Sequence, residues 1–511
     1  MWEASIEAAE KLFSLGPLLV ILLMLPIALV SGLMPGGNLP VAVVLLGFAG
    51  YVDPWITVTA VVFFLAASDI TEPVPSILMG IPGARSAQAT ILDGYPLARK
   101  GLAGVALGAS YMCTLVGGII GAMALLLALP ISRELLRLFG AAEFFLLSVL
   151  GLMCVAIVSS GAFVKGMLTA CFGLAISMIG FSVIGGNVRT TFGIDYLWDG
   201  IPLAPVVIGL FALPEVVDLV VSNTPIARER LETMLKEADR DVYKGMKEAL
   251  NNKWLLVRSS LIGTFVGMMP GIGSSGAHWI AYAQARHTEK GAMESFGKGD
   301  VRGVIAADSA NNSVDGGVLI PTVVFGIPGS GGMAILLAIL VLSGVQPGPS
   351  MLTENLDLTV SLVYTIVLGN VIVVPIMLYF APSLTRIAAI SPNILAPIII
   401  ALVTLAAFQA TYSMEDLGLV LAFGVLGLFM KRYGWPRPPI LIAVVLADIV
   451  EKYLWLSANT YGWSMFARPQ FLSIVVVMVL VMVVSLRMQQ GAKRAAEESA
   501  GESPEPGLDD D

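Results

Sequence analysis

Hydrophobic positions run along this chain in long blocks that charged residues rarely interrupt. An α-helix needs about 20 apolar residues to cross the hydrocarbon core of a bilayer. Several blocks are long enough for one span and a hairpin. The pattern predicts an all-α polytopic membrane protein with roughly 10–13 transmembrane or re-entrant segments. The longest charge-free blocks are residues 12–52, 101–132, 144–164, 166–188, 259–285, 316–353, 358–385, 387–414 and 469–486.

The stretch from residue 262 to 349 is strongly apolar, yet glycine, proline and the pair Asn311–Asn312 interrupt it. In hydrocarbon every backbone N–H and C=O must be satisfied, so a broken helix survives only when protein buries it or when it lines a cavity. Transporters place substrate and ion sites at such breaks near the bilayer midplane. We therefore expect the functional site in this stretch, with both asparagines at a helix break.

The same pattern occurs once nearer the N-terminus. GLMPGG (32–37) resembles GMMPGI (267–272), and MGIPGA (79–84) resembles FGIPGS (325–330). Two ordered pairs at similar separation predict two internal repeats, each carrying a helical hairpin broken by Gly and Pro, that meet at one central site. The alternative interpretation is two unrelated re-entrant turns.

The distribution of charge predicts four parts of the chain: an N-terminal membrane half (1–225), a connector (226–258), a C-terminal membrane half (259–486) and a tail (487–511). The connector is rich in Lys and Arg, which places it on the cytoplasmic side. The same rule places 431–439 inside and the aromatic segment 451–470 outside. The acidic tail is predicted to be disordered and cytoplasmic.

Composition agrees with a membrane protein and argues against an enzyme. The chain is 57% hydrophobic and 13% charged, whereas soluble domains carry about 25% charged residues. It has no phosphate-binding glycine loop, no metal-spaced His/Cys/Glu set and no nucleophile elbow. Cys113, Cys154 and Cys171 have no paired spacing, so neither a metal site nor a disulfide is expected. Nothing in the sequence points to nucleic acid.

Candidate substrate ligands are Asn311, Asn312 and the first GIPG turn, which begins at Gly80–Ile81. Amide side chains offer uncharged donors and acceptors that suit an oxyanion or a partly dehydrated cation. Helix N-termini after the GIPG turns would direct free N–H groups at an anion. The alternative is that the asparagines only cap a broken helix. Carbonyl groups at the breaks, helped by the hydroxyls of Ser274, Ser275 or Ser330, would be the ligands for a coupling Na⁺.

Four acidic residues flank the broken hairpins, where a charge is costly unless it is paired or hydrated. Asp69 and Glu72 lie three residues apart and would share a helix face, where they take up a proton or Na⁺ or pair with Arg85. Asp308 and Asp315 either join that chemistry or cap helix ends. His278 is a proton relay or a buried structural residue.

These motifs resemble the large membrane subunit of tripartite tricarboxylate transporters, the TctA family, from about residue 32 to about residue 437. Besides the paired Pro-Gly motifs, the resemblance rests on DGYPLARKG (93–101), SANNSVDGGVLIPTVVFGIPGSG (309–331) and SGVQPGP (343–349). ASDITEPVPSILMGIPG (67–83) departs from the family, which has a small, Tyr-Gly-Gly-rich stretch there instead of two acids and two prolines.

The resemblance implies the permease subunit of a secondary importer of carboxylates in a bacterial inner membrane, driven by an ion gradient and working by alternating access. It implies symport with Na⁺ or H⁺ and no organic cofactor. Implied partners are a small membrane subunit (TctB-like) and a periplasmic solute-binding protein (TctC-like), and a homodimer stays open. The alternatives are an ion channel or a stand-alone transporter of a non-carboxylate solute.

Overall fold

The structure is a computed structural model, and it consists almost entirely of helices. It describes residues 2–33, 38–46, 49, 52–80, 85–158, 163–182, 187–214, 217, 241–269, 273–388, 397, 400, 401, 404, 405, 407, 408, 412–480, 482 and 483. Strand structure there is limited to the pair β1 (Gly180–Phe181) and β2 (Val188–Arg189).

The helices of the N-terminal half are α1 (Trp2–Leu12), α2 (Leu15–Leu33), α3 (Asn38–Leu46), α4 (Pro54–Thr71), α5 (Pro73–Met79), α6 (Thr90–Arg99), α7 (Ala103–Leu136), α8 (Ala141–Val158), α9 (Phe163–Ser177) and α10 (Leu203–Val207). Those that follow are α11 (Val242–Asn251), α12 (Lys253–Gly267), α13 (Gly273–Thr288), α14 (Ala292–Ser295), α15 (Val301–Phe325), α16 (Gly331–Leu342), α17 (Leu356–Ala388), α18 (Glu415–Arg432), α19 (Pro438–Tyr461) and α20 (Pro469–Leu480).

Four helical segments in the described ranges are long and apolar enough to cross a membrane: Leu15–Leu33, Pro54–Met79, Ala103–Leu136 and Leu356–Tyr379. Shorter apolar helices, among them α16 and α20, accompany them. The prediction of an all-α polytopic membrane protein is confirmed. The number of segments, the internal repeats and the four-part division stay predictions.

The helix boundaries follow ordinary capping signals. Asp53 precedes Pro54 and accepts a hydrogen bond from the Trp55 N–H at 2.8 Å, which caps α4. Asp300 caps α15 through the Arg302 N–H at 2.9 Å. Both helix breaks at the GIPG motifs begin with a glycine in the left-handed region, Gly80 (φ 68°) and Gly326 (φ 69°). Glycine adopts that conformation without steric cost.

Helix α15 occupies the centre of the described structure, and 22 of its 25 residues are buried. It packs closely on α7 from the other half through glycine. A Cβ on Gly316 would lie 2.0 Å from the Gly121 carbonyl oxygen, and one on Gly121 would lie 2.5 Å from that of Ser313. Such small-residue contacts let helix backbones approach closely. Close packing matters in membranes because lipid is as apolar as the helices, so the hydrophobic effect does little to drive helix association.

The charged segment between the halves is partly integrated into this packing. Helix α11 lies on α7, and a Cβ on Gly108 would stand 1.9 Å from the Val242 carbonyl oxygen. Helix α12 begins at Lys253 and continues into the second half. The connector residues 218–240 and the tail from residue 484 lie outside the described residues, as do the Pro-Gly positions 34–37, 81–84 and 270–272.

Candidate functional site

One face of α15 carries a column of buried polar side chains. Asp308, Asn311 and Asp315 occupy positions i, i+3 and i+7, so they lie above one another on the helix. Helix α15 runs without interruption through Asn311 and Asn312. The prediction that these asparagines mark a helix break is therefore wrong, and of the two alternatives for Asp308 and Asp315, capping of helix ends is excluded. Tight packing satisfies the α15 backbone and overrides the low helix propensity of asparagine, aspartate and glycine.

At one end of the column, Asp308 is fully buried between α15 and two helices of the first half. The Thr90 hydroxyl on α6 donates a hydrogen bond to its Oδ1, and the Ser110 hydroxyl on α7 lies beside the carboxyl. Its Oδ2 has no hydrogen-bond partner among the described residues. This end of the column joins the two halves.

Asn311 stands at the middle of the column and is 1% exposed. Neither its Oδ1 nor its Nδ2 has a hydrogen-bond partner in the described part of the chain. Leaving a buried polar group unpaired costs roughly 1–3 kcal/mol, so such groups in native proteins call for an explanation. A polar ligand that bonds to the amide is the explanation that suits a transport protein.

At the other end of the column, Asp315 meets acidic residues of the first half. The Asp69 carboxyl on α4 is close enough to the carboxyls of Asp315 and Glu72 for the three groups to interact electrostatically. The Ser86 hydroxyl donates to Glu72 Oε2 at 2.5 Å. Asp315 Oδ2 has no partner in the described ranges. The predicted shared face of Asp69 and Glu72 thus faces a third carboxyl, which the sequence analysis did not place beside them.

Asn312 has a different environment from its neighbour. Its Nδ2 donates to Asn370 Oδ1 on α17 at 3.3 Å, and Asn370 in turn donates to the Ile366 carbonyl at 3.0 Å. The structure therefore separates the two asparagines: Asn312 links α15 to α17, whereas the Asn311 amide has no partner among the residues that the structure describes. As a substrate ligand, Asn312 stays a prediction.

The second GIPG turn closes the C-terminus of α15. The N–H of Gly326 donates to the Thr322 carbonyl at 3.1 Å, as in an αL capping motif. After the turn, Ser330 caps α16 by accepting from the Met333 N–H at 3.3 Å. The first turn begins in the same way at Gly80, but Ile81 lies outside the described residues.

The sequence contains a signal for the proximity of Asp69 and Asp315. Asp69 stands eleven residues before the left-handed Gly80, and Asp315 stands eleven residues before the left-handed Gly326. Pro75 and Pro321 also occupy equal positions before these glycines. A careful alignment on the GIPG motifs would have matched the two aspartates.

Asp93 is a second residue whose role sequence reasoning missed. Its buried carboxylate accepts hydrogen bonds from three backbone N–H groups, those of Gly297 (2.9 Å), Gly299 (2.8 Å) and Asp300 (2.8 Å). The Tyr282 hydroxyl donates to its other oxygen at 2.8 Å. These hydrogen bonds hold α6 against the loop that precedes α15, so the role of Asp93 is structural.

The other predicted residues are His278, Ser274, Ser275 and Arg85. His278 is fully buried on α13, and its ring lies 5.6 Å from that of Trp279. The side chains of Ser274, Ser275 and Arg85 lie outside the described part of the chain. Their predicted roles in ion binding or pairing stay predictions.

A polytopic helical fold with buried polar side chains on a central helix is typical of membrane transporters. The chain belongs to the tripartite tricarboxylate transporter TctA family, which matches residues 18–442. This is a family of transporters, not of enzymes, so the predicted family and the prediction that the chain is not an enzyme are both confirmed.

Two relatives come from Agrobacterium vitis. An uncharacterised 52.8 kDa protein in the TAR-I ttuC′ 3′ region is 28% identical over 390 residues, 74% of each chain. An uncharacterised protein in the TAR-II ttuC′ 3′ region is 27% identical over 192 residues, 38% of this chain and 79% of that protein. No solved structure matches this chain.

Proposed function

We propose that this chain is the large permease subunit of a secondary importer that carries a carboxylate across the bacterial inner membrane. The substrate class is a tricarboxylate, a dicarboxylate or a related organic acid. Uptake is driven by an ion gradient and depends on a solute-binding protein. Membership of the TctA family supports this assignment.

The observation that carries the proposal is the amide of Asn311, which has no hydrogen-bond partner within the described ranges. It is buried on α15, on a face whose neighbouring acids contact first-half residues. An amide N–H can donate to a carboxylate oxygen without adding a fixed charge. A substrate at this position lies between elements of both halves, as alternating access requires.

The helix ends at Gly80 and at the second GIPG turn would supply further polar backbone to the proposed site. The left-handed glycines Gly80 and Gly326 end α5 and α15, and α16 starts directly after the second turn. Helix ends of this kind present backbone dipoles to ions and charged groups in transporters. Carbonyl groups there suit a cation, and N–H groups suit the substrate carboxylate.

Two partner proteins belong to the proposal. A small membrane subunit (TctB-like) would complete the permease, and a periplasmic solute-binding protein (TctC-like) would deliver the carboxylate. The tripartite character of the family supports their existence.

Uptake of radiolabelled carboxylates into proteoliposomes tests the function. The vesicles would hold this chain, its small partner and the binding protein, under an imposed Na⁺ or pH gradient. We expect saturable accumulation that collapses with the gradient, and none in vesicles that lack this chain. Non-saturating flux without accumulation would instead indicate a channel. Uptake of only non-carboxylate solutes would reject the proposed substrate class.

A further inference from the structure

A cleft lies where the N-terminus of α7 meets α11 and the loop before α15, away from the polar column. Its volume is about 380 Å³, which is within the range of pockets that bind small ligands. The helices that border it come from different parts of the chain: α6 and α7 from the predicted N-terminal half, α11 from the connector and α15 from the predicted C-terminal half. A ligand in this cleft would therefore touch all three parts.

Three lysines line the cleft, each from a different element. Lys100 lies between α6 and α7, Lys244 lies on α11, and Lys298 lies in the loop before α15. The Lys100 ammonium donates a hydrogen bond to the Lys298 carbonyl oxygen, and two of its three N–H donors remain for a ligand. A Cβ on Gly299 would stand 3.2 Å from the Lys100 Nζ, so this glycine lets the ammonium approach the loop. Three neighbouring ammonium groups repel one another, and an anion between them relieves that repulsion.

Two acidic residues, Glu248 and Asp300, also line the cleft and reduce its positive charge. Asp300 already binds a cation, because its Oδ2 lies 2.6 Å from the Arg302 Nη2. The same oxygen accepts a hydrogen bond from the Ser295 hydroxyl at 2.6 Å. Together with Arg302, four cationic side chains stand against two carboxylates, so the net charge at the cleft is positive.

Helix α7 presents the positive end of its dipole at the same place. It is 34 residues long, begins at Ala103, and has no side-chain hydrogen bond to its N-cap in the described structure. Leu102 and Val105, at the start of this helix, line the cleft. The N-terminus of an α-helix carries unpaired N–H groups and a partial positive charge. The helix end and the lysines therefore favour the same kind of ligand, an anion.

The remaining wall of the cleft is apolar, and it lies at the end of a membrane-spanning helix. Leu97 and Val301 join Leu102 and Val105 in this wall, and α7 is long and apolar enough to cross a bilayer. The positive-inside rule places the connector, and with it α11, on the cytoplasmic side. The cytoplasmic leaflet is rich in anionic phospholipids, and basic pockets between helices on that side bind their headgroups. A phospholipid offers a phosphate to the lysines and an acyl chain to the apolar wall, whereas free phosphate offers only the first.

We propose that this cleft binds the phosphate group of an anionic phospholipid from the cytoplasmic leaflet, with Lys100, Lys244 and Lys298 as its ligands. The bound headgroup connects the α6–α7 junction and α11 to the loop that leads into α15. Because α15 carries Asn311, the lipid stabilises the packing of the helix that holds the candidate substrate site. The proposal does not depend on which solute the chain transports.

Native mass spectrometry of the full chain, purified in a neutral detergent, tests the proposal by measuring the binding of phosphatidylglycerol. The cleft variant combines Lys100→Gln, Lys244→Gln and Lys298→Gln. The control variant removes the same charge from exposed lysines outside the cleft and combines Lys247→Gln, Lys253→Gln and Lys290→Gln. We expect the cleft variant to bind the lipid roughly tenfold more weakly than wild type or more, and the control variant to bind like wild type. Equal lipid affinity in the two variants would overturn the proposal.

Two further ligands separate an anionic lipid from other sources of phosphate. Phosphatidylcholine, whose phosphate is neutralised by its own choline, should bind to wild type more weakly than phosphatidylglycerol. Calorimetric titration with sodium phosphate, against sodium chloride at equal ionic strength, should show no saturable binding that the cleft variant loses. Equal binding of the two lipids, or saturable phosphate binding that is lost in the cleft variant, would contradict an anionic lipid as the ligand.

Photochemical labelling of the wild-type chain gives a readout that does not depend on how well a variant folds. A phosphatidylglycerol with a diazirine close to its headgroup would be added to the purified chain, irradiated, and the labelled peptides identified by mass spectrometry. We expect labels in residues 97–105, 244–248 or 295–301, and their loss when unlabelled phosphatidylglycerol is in excess. Labels confined to other parts of the chain would refute the proposal.

Discussion

At the scale of single residues, this protein keeps a few polar side chains where hydrocarbon and close packing should exclude them. Asp93 and Asn311 show two different reasons. Asp93 is buried but fully paired, with four hydrogen bonds. Asn311 is equally buried and has none among the described residues. Pairing, rather than burial alone, separates a structural residue from a candidate ligand.

Loss of Asp93 should destabilise the fold. In Asp93→Ala, three backbone N–H groups lose their acceptor, and each buried unpaired group costs roughly 1–3 kcal/mol. We expect a destabilisation of about 3 kcal/mol or more, seen as a lower Tm of the purified protein in detergent. Asp199→Ala, at an exposed aspartate, serves as the control. Equal Tm values for the two variants would show that the Asp93 contacts carry no net stability.

The neighbouring Asp300 gives the loop before α15 a dependence on pH. Partial burial of Asp300 acts to raise its pKa. Hydrogen bonds from Arg302 and Ser295 outweigh this effect and lower the pKa of Asp300 below its usual range. Because the folded pKa is lowered, its stabilising effect is fully present above the pKa of the unfolded chain and disappears as pH falls through the folded value.

This effect predicts a difference between acid and neutral pH. Asp300→Asn should lower the Tm at pH 7, and its Tm should converge with that of wild type as the pH falls through the lowered pKa of folded Asp300. Thermal unfolding across pH, with Asp199→Asn as the control, checks it. A constant difference between Asp300→Asn and wild type at all pH values would contradict the ionic role.

At the scale of helices, the two halves are held together by close backbone contacts. The contact of α7 with α15 depends on Gly121 and Gly316, because the added Cβ of an alanine at Gly316 would stand 2.0 Å from a carbonyl oxygen. Backbone atoms cannot move aside as a flexible side chain does, so the helices would have to separate.

We therefore predict that the Gly316→Ala variant loses both stability and transport activity. We expect a lower Tm and an uptake reduced at least tenfold, since separation of α15 from α7 displaces the column of Asp308, Asn311 and Asp315. Gly418→Ala on α18 is the matched control, because nothing lies within 4 Å of its Cβ. Uptake by Gly316→Ala equal to that of Gly418→Ala would show that α15 tolerates displacement from α7.

The sequence predicted the helix ends better than the helix interiors. Gly80 and Gly326 are local signals, and the left-handed conformation there requires glycine. The expected helix break at Asn311–Asn312 was wrong. Local propensity disfavours helix there, but packing contacts with α7, α12 and α17 keep the segment helical. No local pattern reports those contacts.

At the scale of the whole molecule, the fold class and the family could be predicted from the sequence. The structure confirmed the fold class, and the comparison with known families confirmed the family. The meeting of Asp69 with Asp315 could not be predicted from residue types alone, because it depends on how two distant halves pack. The matched positions of these residues before the GIPG glycines gave the only sequence trace of it. The repeats themselves stay a prediction.

The measurement that tests the central claim most directly is calorimetric binding of the transported carboxylate to the purified chain. Wild type, Asn311→Ala and the control Asn252→Ala, whose side chain bonds to the Glu248 carbonyl in the connector region, would be compared. We predict that Asn311→Ala weakens binding at least tenfold, which corresponds to about 1.4 kcal/mol, while Asn252→Ala binds like wild type. Equal affinity in all three proteins would contradict a substrate site on this face of α15.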